Sequence, residues 1–308
     1  MAKKQIVKLI SFNIVTFLMK MSPKTFVFLA GLPRSGSTLI STILNQNPII
    51  HSGPNSPVLN LIQMVESFRG HETNMAFSFD KELDDVQHSL LHQFYSNYVE
   101  MVCVDKNRGW TDHVAFLKQH IHPNPKIICP VRSIDSILNS FLNLVDREQH
   151  KVNNFMDRQF DVPDEIARCT QLLNNGVLGS SVQSLLGALE THPQHLFLCD
   201  YETMVSHPQE TFQHMYQFLE LPYFEHNFTN LFNPFETNDM AAYGISNMHS
   251  VRPKVGLRAL PDRVPPCILE ECRTDPLLQR LERIREVHAF STYRTSVVCK
   301  SGFGEPGT

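Results

Sequence analysis

The segment Gly31-Leu32-Pro33-Arg34-Ser35-Gly36-Ser37-Thr38 follows the apolar run Thr25 to Ala30 and leads into a helical pattern from Thr38 to Asn45. A strand, a glycine-bounded turn and a helix start make an anion cradle, because unpaired backbone N–H groups and the positive end of the helix dipole converge on one point. The spacing is that of a P-loop, G-x4-G-x-[ST], but Ser37 stands where a nucleotide triphosphatase carries its lysine. This points to an anion other than the γ-phosphate of ATP. Arg34, inside the turn, adds a guanidinium able to fork onto two oxygens of such an anion.

Three further apolar runs end in polar side chains. Lys126 to Val131 is followed by Arg132, and Ser140 lies eight residues further along the next helical pattern. About two helical turns separate the pair, so both can flank one groove; alternatively Arg132 pairs with Asp135 and Ser140 faces water. Val104-Asp105-Lys106-Asn107-Arg108-Gly109-Trp110 closes another run and on its own reads as a solvated turn capped by a packing tryptophan. Asp200-Tyr201-Glu202 closes a fourth, where Tyr201 is either a core residue or an aromatic beside a ligand. With Asp200 and Thr38 as metal ligands, an ATP-dependent P-loop kinase of small molecules stays open as a reading.

The elements that must hold these residues alternate. Short β-rich runs at Thr25–Ala30, Met101–Asp105, Lys126–Val131 and His195–Cys199 are separated by longer helical patterns. Helices are expected over Val58–Phe68, Leu83–Val99, Ser133–Val145, Asp164–Leu189, Pro208–Leu219 and Asp275–Val287, and loops over Pro222–Pro266. Such alternation predicts an α/β fold: a P-loop-type parallel sheet with helices on both faces, in a single domain. The domain is expected over 21–291, preceded by an N-terminal extension, 1–20, and followed by a tail, 292–308.

Composition narrows the function classes. The 308 residues are 42% hydrophobic, which suits a chain with a sizeable core. With 27 basic against 31 acidic side chains the formal net charge is -4, so nucleic-acid binding is not expected and the functional cations must be local. Seven cysteines is an odd number, and Cys103, Cys129 and Cys199 sit in apolar runs as reduced, buried thiols do; a disulfide framework is not expected, and the compartment expected is the cytoplasm. Lys3-Lys4 with the apolar run Leu9 to Met19 imitates a leader, but that run is shorter than the ~20 residues needed to span a bilayer. No membrane span is expected, and Met21 reads as close to the start of the fold.

Taken together, Pro33 to Leu39 resembles the 5′-phosphosulfate loop of the sulfotransferase family, Pro-[Arg/Lys]-Ser-Gly-[Thr/Ser]-Thr, nearest the branch of tyrosylprotein sulfotransferases and bacterial relatives. Asn47-Pro48, Lys106, the strand-Arg132-x7-Ser140 signature and Tyr201-Glu202 with His207-Pro208 match that family in order, from Gly31 to about Leu221. The resemblance implies 3′-phosphoadenosine 5′-phosphosulfate (PAPS) as sulfuryl donor, PAP as product, no metal, and an acceptor hydroxyl or amine on a small molecule, glycan, lipid or peptide. It further implies that Pro33, Arg34, Ser35, Gly36, Ser37 and Thr38 bind the phosphosulfate and Arg132 and Ser140 the 3′-phosphate. Tyr201 would lie near the adenine, and Arg34 and Lys106 would act in catalysis.

The resemblance fails at the general base. The branch's glutamate falls at Asn55, a neutral amide that takes no proton, and the histidine that the cytosolic branch uses falls near Arg108. His51 and Asp105, close to strand ends, are the candidate bases instead. A donor-binding pseudoenzyme is the alternative that Asn55 keeps open. Leu144 replaces a further arginine of the branch, for which Arg147 is a candidate substitute, and His249 to Lys254 resembles a late Ser/Lys segment without residue-level assignment.

Overall fold

The computed structural model describes residues 24–146, 154–158, 164–174 and 176–287; the expected extension 1–20, the expected tail 292–308 and Arg147 lie outside the described residues. Five parallel strands, β1 (Thr25–Leu29), β2 (Ile50–Asn55), β3 (Val102–Lys106), β4 (Lys126–Val131) and β5 (Leu196–Asp200), form one sheet in the order β2-β3-β1-β4-β5. The chain moves from β1 outward to the β2 edge, returns through β3, then crosses to β4 and β5. That reversal creates a crevice outside the carboxyl ends of the strands, the usual ligand position in an open parallel sheet.

Both sheet faces are buried, as the near-continuous apolar strands require. Phe26 and Phe28 of β1 face a core built with Trp110, Ile137, Leu138 and Phe141, while Val27 and Leu29 face another built with Ile40, Ile43, Phe212 and Tyr216. The helices are α1 (Ser37–Leu44), α2 (Val58–Ser67), α3 (Glu72–Phe77), α4 (Asp80–Phe94), α5 (Ile134–Asp146), α6 (Glu165–Asn174), α7 (Val177–Thr191), α8 (Tyr201–Ser206), α9 (Pro208–Leu219), α10 (Asp239–Tyr243) and α11 (Pro266–Thr274), followed by helical residues 276–287. In α5 the i, i+3, i+4 stripe is realised: Ile134, Ile137, Leu138, Phe141, Leu142 and Val145 are all buried.

Three sequence expectations change. The strand β2 was not anticipated because Ile50-His51-Ser52-Gly53-Pro54-Asn55 has little β-forming character. It survives as an edge strand, where Pro54 removes no interior ladder bond, and its register against β3 shifts between Ser52 and Asn55. The expected helix Asp164–Leu189 is two helices, because Gly176 sits in an extended conformation before α7 and a Cβ there would lie 2.4 Å from the Gln171 carbonyl oxygen. Within the expected loop region the short helix α10 forms, capped by the Asn238 side chain accepting from Ala241 N–H. Among the described residues no helix is long and apolar enough to cross a membrane.

Candidate functional site

The carboxyl edge of the sheet gathers polar residues from the strand ends and from the turns that follow them. Asn55 of β2 pairs in register with Lys106 of β3, which pairs with Leu29 of β1 just before the glycine loop; Val131 and Asp200 pair at the ends of β4 and β5, immediately before Arg132 and Tyr201. One cleft gathers Pro33, Arg34, Gly36, Ser37, Thr38, Asn55, Lys106, Arg132, Ser140 and Tyr201, with Leu144 also in its wall. Ser35 lies within the loop and is fully buried.

The loop has the geometry its glycines predict. Gly31 has φ +85° and Gly36 φ +91°, both in the left-handed region. A Cβ on Gly31 would lie 2.5 Å from the Pro130 carbonyl oxygen, and one on Gly36 would lie 2.9 Å from the Tyr201 ring. The turn is pinned to β4 by Leu32 N–H donating to that same Pro130 oxygen at 2.9 Å. Gly36 is the N-cap of α1, so Ser37 and Thr38 form the open first turn where backbone N–H groups face the cleft.

Charge is strongly one-sided here. Arg34, Lys106, Arg108, Arg132, Arg252, Lys254 and Arg258 line the cleft, and no aspartate or glutamate lines it among the described residues, in a chain of net charge -4. Lys106 is only 5% exposed, and its Nζ donates to Thr38 Oγ1 at 3.2 Å. Burial, reinforced by the nearby Arg108 charge, lowers its ammonium to a pKa of about 8. Arg108, beside it at the mouth of the cleft, keeps an exposed side chain. Among the described residues neither makes an ion pair with a carboxylate, which for the buried Lys106 costs stability unless an anion completes it.

The opposite wing is organised around Arg132. Its Nε donates to Glu202 Oε1 at 3.1 Å, its Nη1 donates to the Arg34 carbonyl at 3.4 Å, and its guanidinium lies 4.3 Å from the Tyr201 ring centroid. Asp135, the alternative partner, accepts instead from Ser136 N–H. Ser140 faces the cleft, where its Oγ accepts from Arg34 Nε at 3.3 Å; Arg34 Nη1 also donates to the Met248 carbonyl at 2.5 Å. Arg34 thus turns away from the helix start toward Ser140, which the loop spacing did not reveal.

Asp200 departs from the kinase reading. One carboxylate oxygen caps α8, accepting from Thr203 N–H at 2.9 Å and Thr203 Oγ1 at 2.8 Å, and the other accepts from Arg285 at 2.9 Å. It is a helix cap tied to helical residues 276–287, and it does not line the cleft.

Neither sequence-derived base stands in the cleft. Asp105 is fully buried, accepting from Ser56 Oγ at 2.5 Å, Tyr95 OH at 2.9 Å and Trp110 Nε1 at 2.7 Å. It points into the core that Trp110 shares with Phe28, and burial raises its carboxyl despite those three donors. His51 is buried under Tyr98, with ring centroids 3.7 Å apart, and burial lowers its imidazole below the ordinary histidine value. Asp105 is at the carboxyl end of β3 but alternates with Lys106 onto the other face, and His51 is the second residue of β2, away from the carboxyl edge; closeness to a strand end says neither which end nor which face the side chain takes.

Sequence reasoning missed Arg108 and Arg258 as cleft residues, and it singled out His249 to Lys254 only as a segment resemblance, without assigning its residues to the cleft that they line. The spacing of Arg252, Lys254 and Arg258 in a stretch without periodicity was the available signal. It also missed a second cavity beside the first, walled by Gly53, Pro54, Phe235, Ala242 and Tyr243. Thr38, Asn55, Lys106 and His249 line both cavities.

The sequence model described as "Sulfotransferase family" matches residues 27–225, a range that holds the loop, Lys106, Arg132, Ser140 and Tyr201. The chain belongs to the sulfotransferase family. A Caenorhabditis briggsae sequence named "Putative protein-tyrosine sulfotransferase" is 20% identical over 203 residues, 64% of this chain; the match spans 66% of that relative's length. Among solved structures, the sulfotransferase domain from the curacin biosynthetic pathway is 18% identical at a TM-score of 0.46, covering 84% of this chain and 96% of that one. The sulfotransferase from Alicyclobacillus acidocaldarius is 16% identical at a TM-score of 0.46, covering 86% and 97%. For this sulfotransferase-family chain the site must still be argued from its own residues.

Proposed function

We propose that the cleft binds PAPS and that the protein transfers its sulfuryl group to a hydroxyl or amine acceptor by in-line displacement. The observation that carries this reading is the set of seven cations without a lining carboxylate, arranged around the open first turn of α1. A donor with phosphate groups at both ends matches such a divided cation set. Backbone N–H groups of Pro33-to-Thr38, where donors exist, with Ser37 and Thr38, would hold the phosphosulfate. Arg132 and Ser140 would hold the 3′-phosphate, joined by Arg34, whose contact with Ser140 supports a place on that side rather than at the sulfur.

Tyr201, half-buried against Arg132 and over Gly36, offers a ring for the adenine. Lys106 and Arg108 would neutralise charge on the transferring sulfuryl and the leaving phosphate, with burial strengthening the contribution of Lys106. The acceptor oxygen or nitrogen forms the new bond to sulfur, the bond from sulfur to the 5′-phosphate oxygen breaks, and PAP leaves. The ATP-dependent reading loses support at Asp200, whose carboxylate is used by Thr203 and Arg285.

Calorimetry tests the donor assignment. PAP is expected to bind without added magnesium, and Arg132→Ala to weaken PAP by about 10- to 100-fold, as loss of a charge-assisted contact of ~1.5–3 kcal/mol requires. Adenosine 5′-phosphosulfate, which lacks the 3′-phosphate, is expected to lose distinctly less, its remaining loss coming from the Tyr201 ring and the Arg34 carbonyl that Arg132 touches. Equal losses for the two ligands would remove Arg132 from the 3′-phosphate.

A further inference from the structure

The acceptor proton needs a receiver, and the residues so far described supply none: Asn55 is an amide, Asp105 points into the core, and His51, packed behind Gly53 and Phe235, lines neither cavity. His249 is different. It lines both cavities, at the wall shared with Thr38, Asn55 and Lys106. Its Nδ1 and Asp239 Oδ1 are 2.6 Å apart, and its own backbone N–H donates to Asp239 Oδ2 at 2.9 Å. Asp239, on α10, is 5% exposed. Burial alone would raise its carboxyl, but hydrogen bonds from the His249 side chain and backbone and from Thr237 outweigh this and hold it below the ordinary carboxylate value.

An ionised, buried carboxylate on Nδ1 fixes the imidazole with its proton on that nitrogen and leaves Nε2 as the acceptor. With both Nδ1 and the backbone N–H engaged by one carboxylate, ring rotation is restrained as well. Residues 239 and 249 lie beyond the family match at 27–225. The second cavity, about 210 Å³, exceeds the ~150 Å³ that accommodates benzene, and Phe235 and Tyr243 in its wall suit an aromatic ring.

We propose that His249 is the general base toward the acceptor, with Asp239 as its positioning residue, and that the second cavity receives the acceptor. This rests on the sulfuryl-transfer reading above. Nε2 takes the proton from the acceptor O–H or N–H as that atom bonds to sulfur; the electron pair of the breaking S–O bond stays on the 5′-phosphate oxygen of PAP. The titratable and charged groups around His249 are Asp239 and Tyr243 of α10, Lys106 at the end of β3, Arg108 beyond it, Arg34 through Met248, and Arg252 and Lys254 of its own segment.

The test uses the full chain and three variants, His249→Asn, His249→Ala and Asp239→Asn. PAP binding is measured first by calorimetry; failure of the wild type to bind PAP would sink the donor reading, whereas intact binding isolates the base. Transfer from radiolabelled PAPS is then followed to phenol, to 4-nitrophenol and to water across pH. Loss of a general base is expected to lower kcat for phenol by about 10²- to 10⁴-fold, a loss much larger than any change in PAP affinity. The loss should shrink for 4-nitrophenol where it is already ionised. In the wild type, the midpoint of the acid limb should coincide with the His249 titration read by NMR, and Asp239→Asn should shift both together. A full-rate His249→Asn, equal losses on phenol and 4-nitrophenolate, or an acid limb that ignores the NMR midpoint would overturn the proposal. So would a wild type that binds PAP yet transfers to none of the three acceptors.

Discussion

Lys106 is the residue whose replacement separates stability from function most sharply. It is nearly inaccessible and has a hydroxyl, but no carboxylate, as its described partner. Its pKa falls from 10.5 to about 8, a cost to the empty folded chain of about 3 kcal/mol at ~1.36 kcal/mol per pH unit. Because the folded value lies below the unfolded one, the unfolded chain holds the proton more tightly between about pH 8 and 10.5. The cost is therefore fully present below pH 8 and is relieved as pH rises through that window. Replacing the ammonium with an apolar side chain of similar length removes the cost and gives up the Thr38 contact, worth ~1 kcal/mol. Lys106→Met is thus expected to stabilise the empty protein at pH 7 by about 2 kcal/mol, the difference between these opposing contributions. Urea unfolding at pH 7 and pH 10 measures it: the variant should exceed the wild type at pH 7 and lose most of that margin at pH 10. The same variant should bind PAP at least about tenfold more weakly, as loss of a buried charged contact implies. A Lys106→Met chain less stable than wild type at pH 7 would refute the view of Lys106 as a buried charge awaiting an anion.

Two other substitutions probe the scaffold. Gly36→Ala should lower stability by about 1–2 kcal/mol, the cost of a left-handed residue with a Cβ, and displace Tyr201, whose ring would lie 2.9 Å from the new atom; unchanged urea midpoint and PAP affinity would contradict this coupling of loop and ring. Asp105→Ala should destabilise by about 3–5 kcal/mol, because Ser56, Tyr95 and Trp110 lose their acceptor together. Its affinity for PAP at a temperature where it remains folded should be near wild type; selective loss of binding with intact stability would return Asp105 to the site.

The legible part of this protein was the part that repeats a local rule. Apolar strands β1, β3, β4 and β5, the stripe of α5 and the glycine turn each follow from neighbouring residues, so the parallel sheet and the position of Arg34, Lys106, Arg132 and Tyr201 at its carboxyl edge could be read along the chain. What could not be read depended on contacts across it. The strand β2 is held by β3 rather than by its own composition, and Arg34 reaches Ser140 106 residues away. Asp200 looked like a metal ligand because its use as a cap and its pairing with Arg285, 85 residues away, are tertiary facts. Asp105 sits one step along the pleat from Lys106, a step that decides between core and cleft, while His51 lies in register with Cys103, well short of the carboxyl edge.

The junction of the two cavities is where these threads meet. Thr38, Asn55, Lys106 and His249 are the residues common to both walls, and an in-line displacement requires the incoming and leaving atoms on opposite sides of the sulfur. A donor on the α1 side and an acceptor on the Phe235 side satisfy that requirement only if the sulfuryl group lies at this junction. Lys106 is then set toward the developing negative charge, and Asn55, held beside it by the β2–β3 pairing, can donate its amide N–H where a carboxylate would repel the sulfuryl oxygens. Moving proton acceptance from the β2 end to His249 on the covering segment therefore separates two tasks, charge stabilisation by the sheet edge and deprotonation by the loop. The two tasks stay coupled through the covering segment, because Met248, next to His249, accepts from Arg34 of the donor loop.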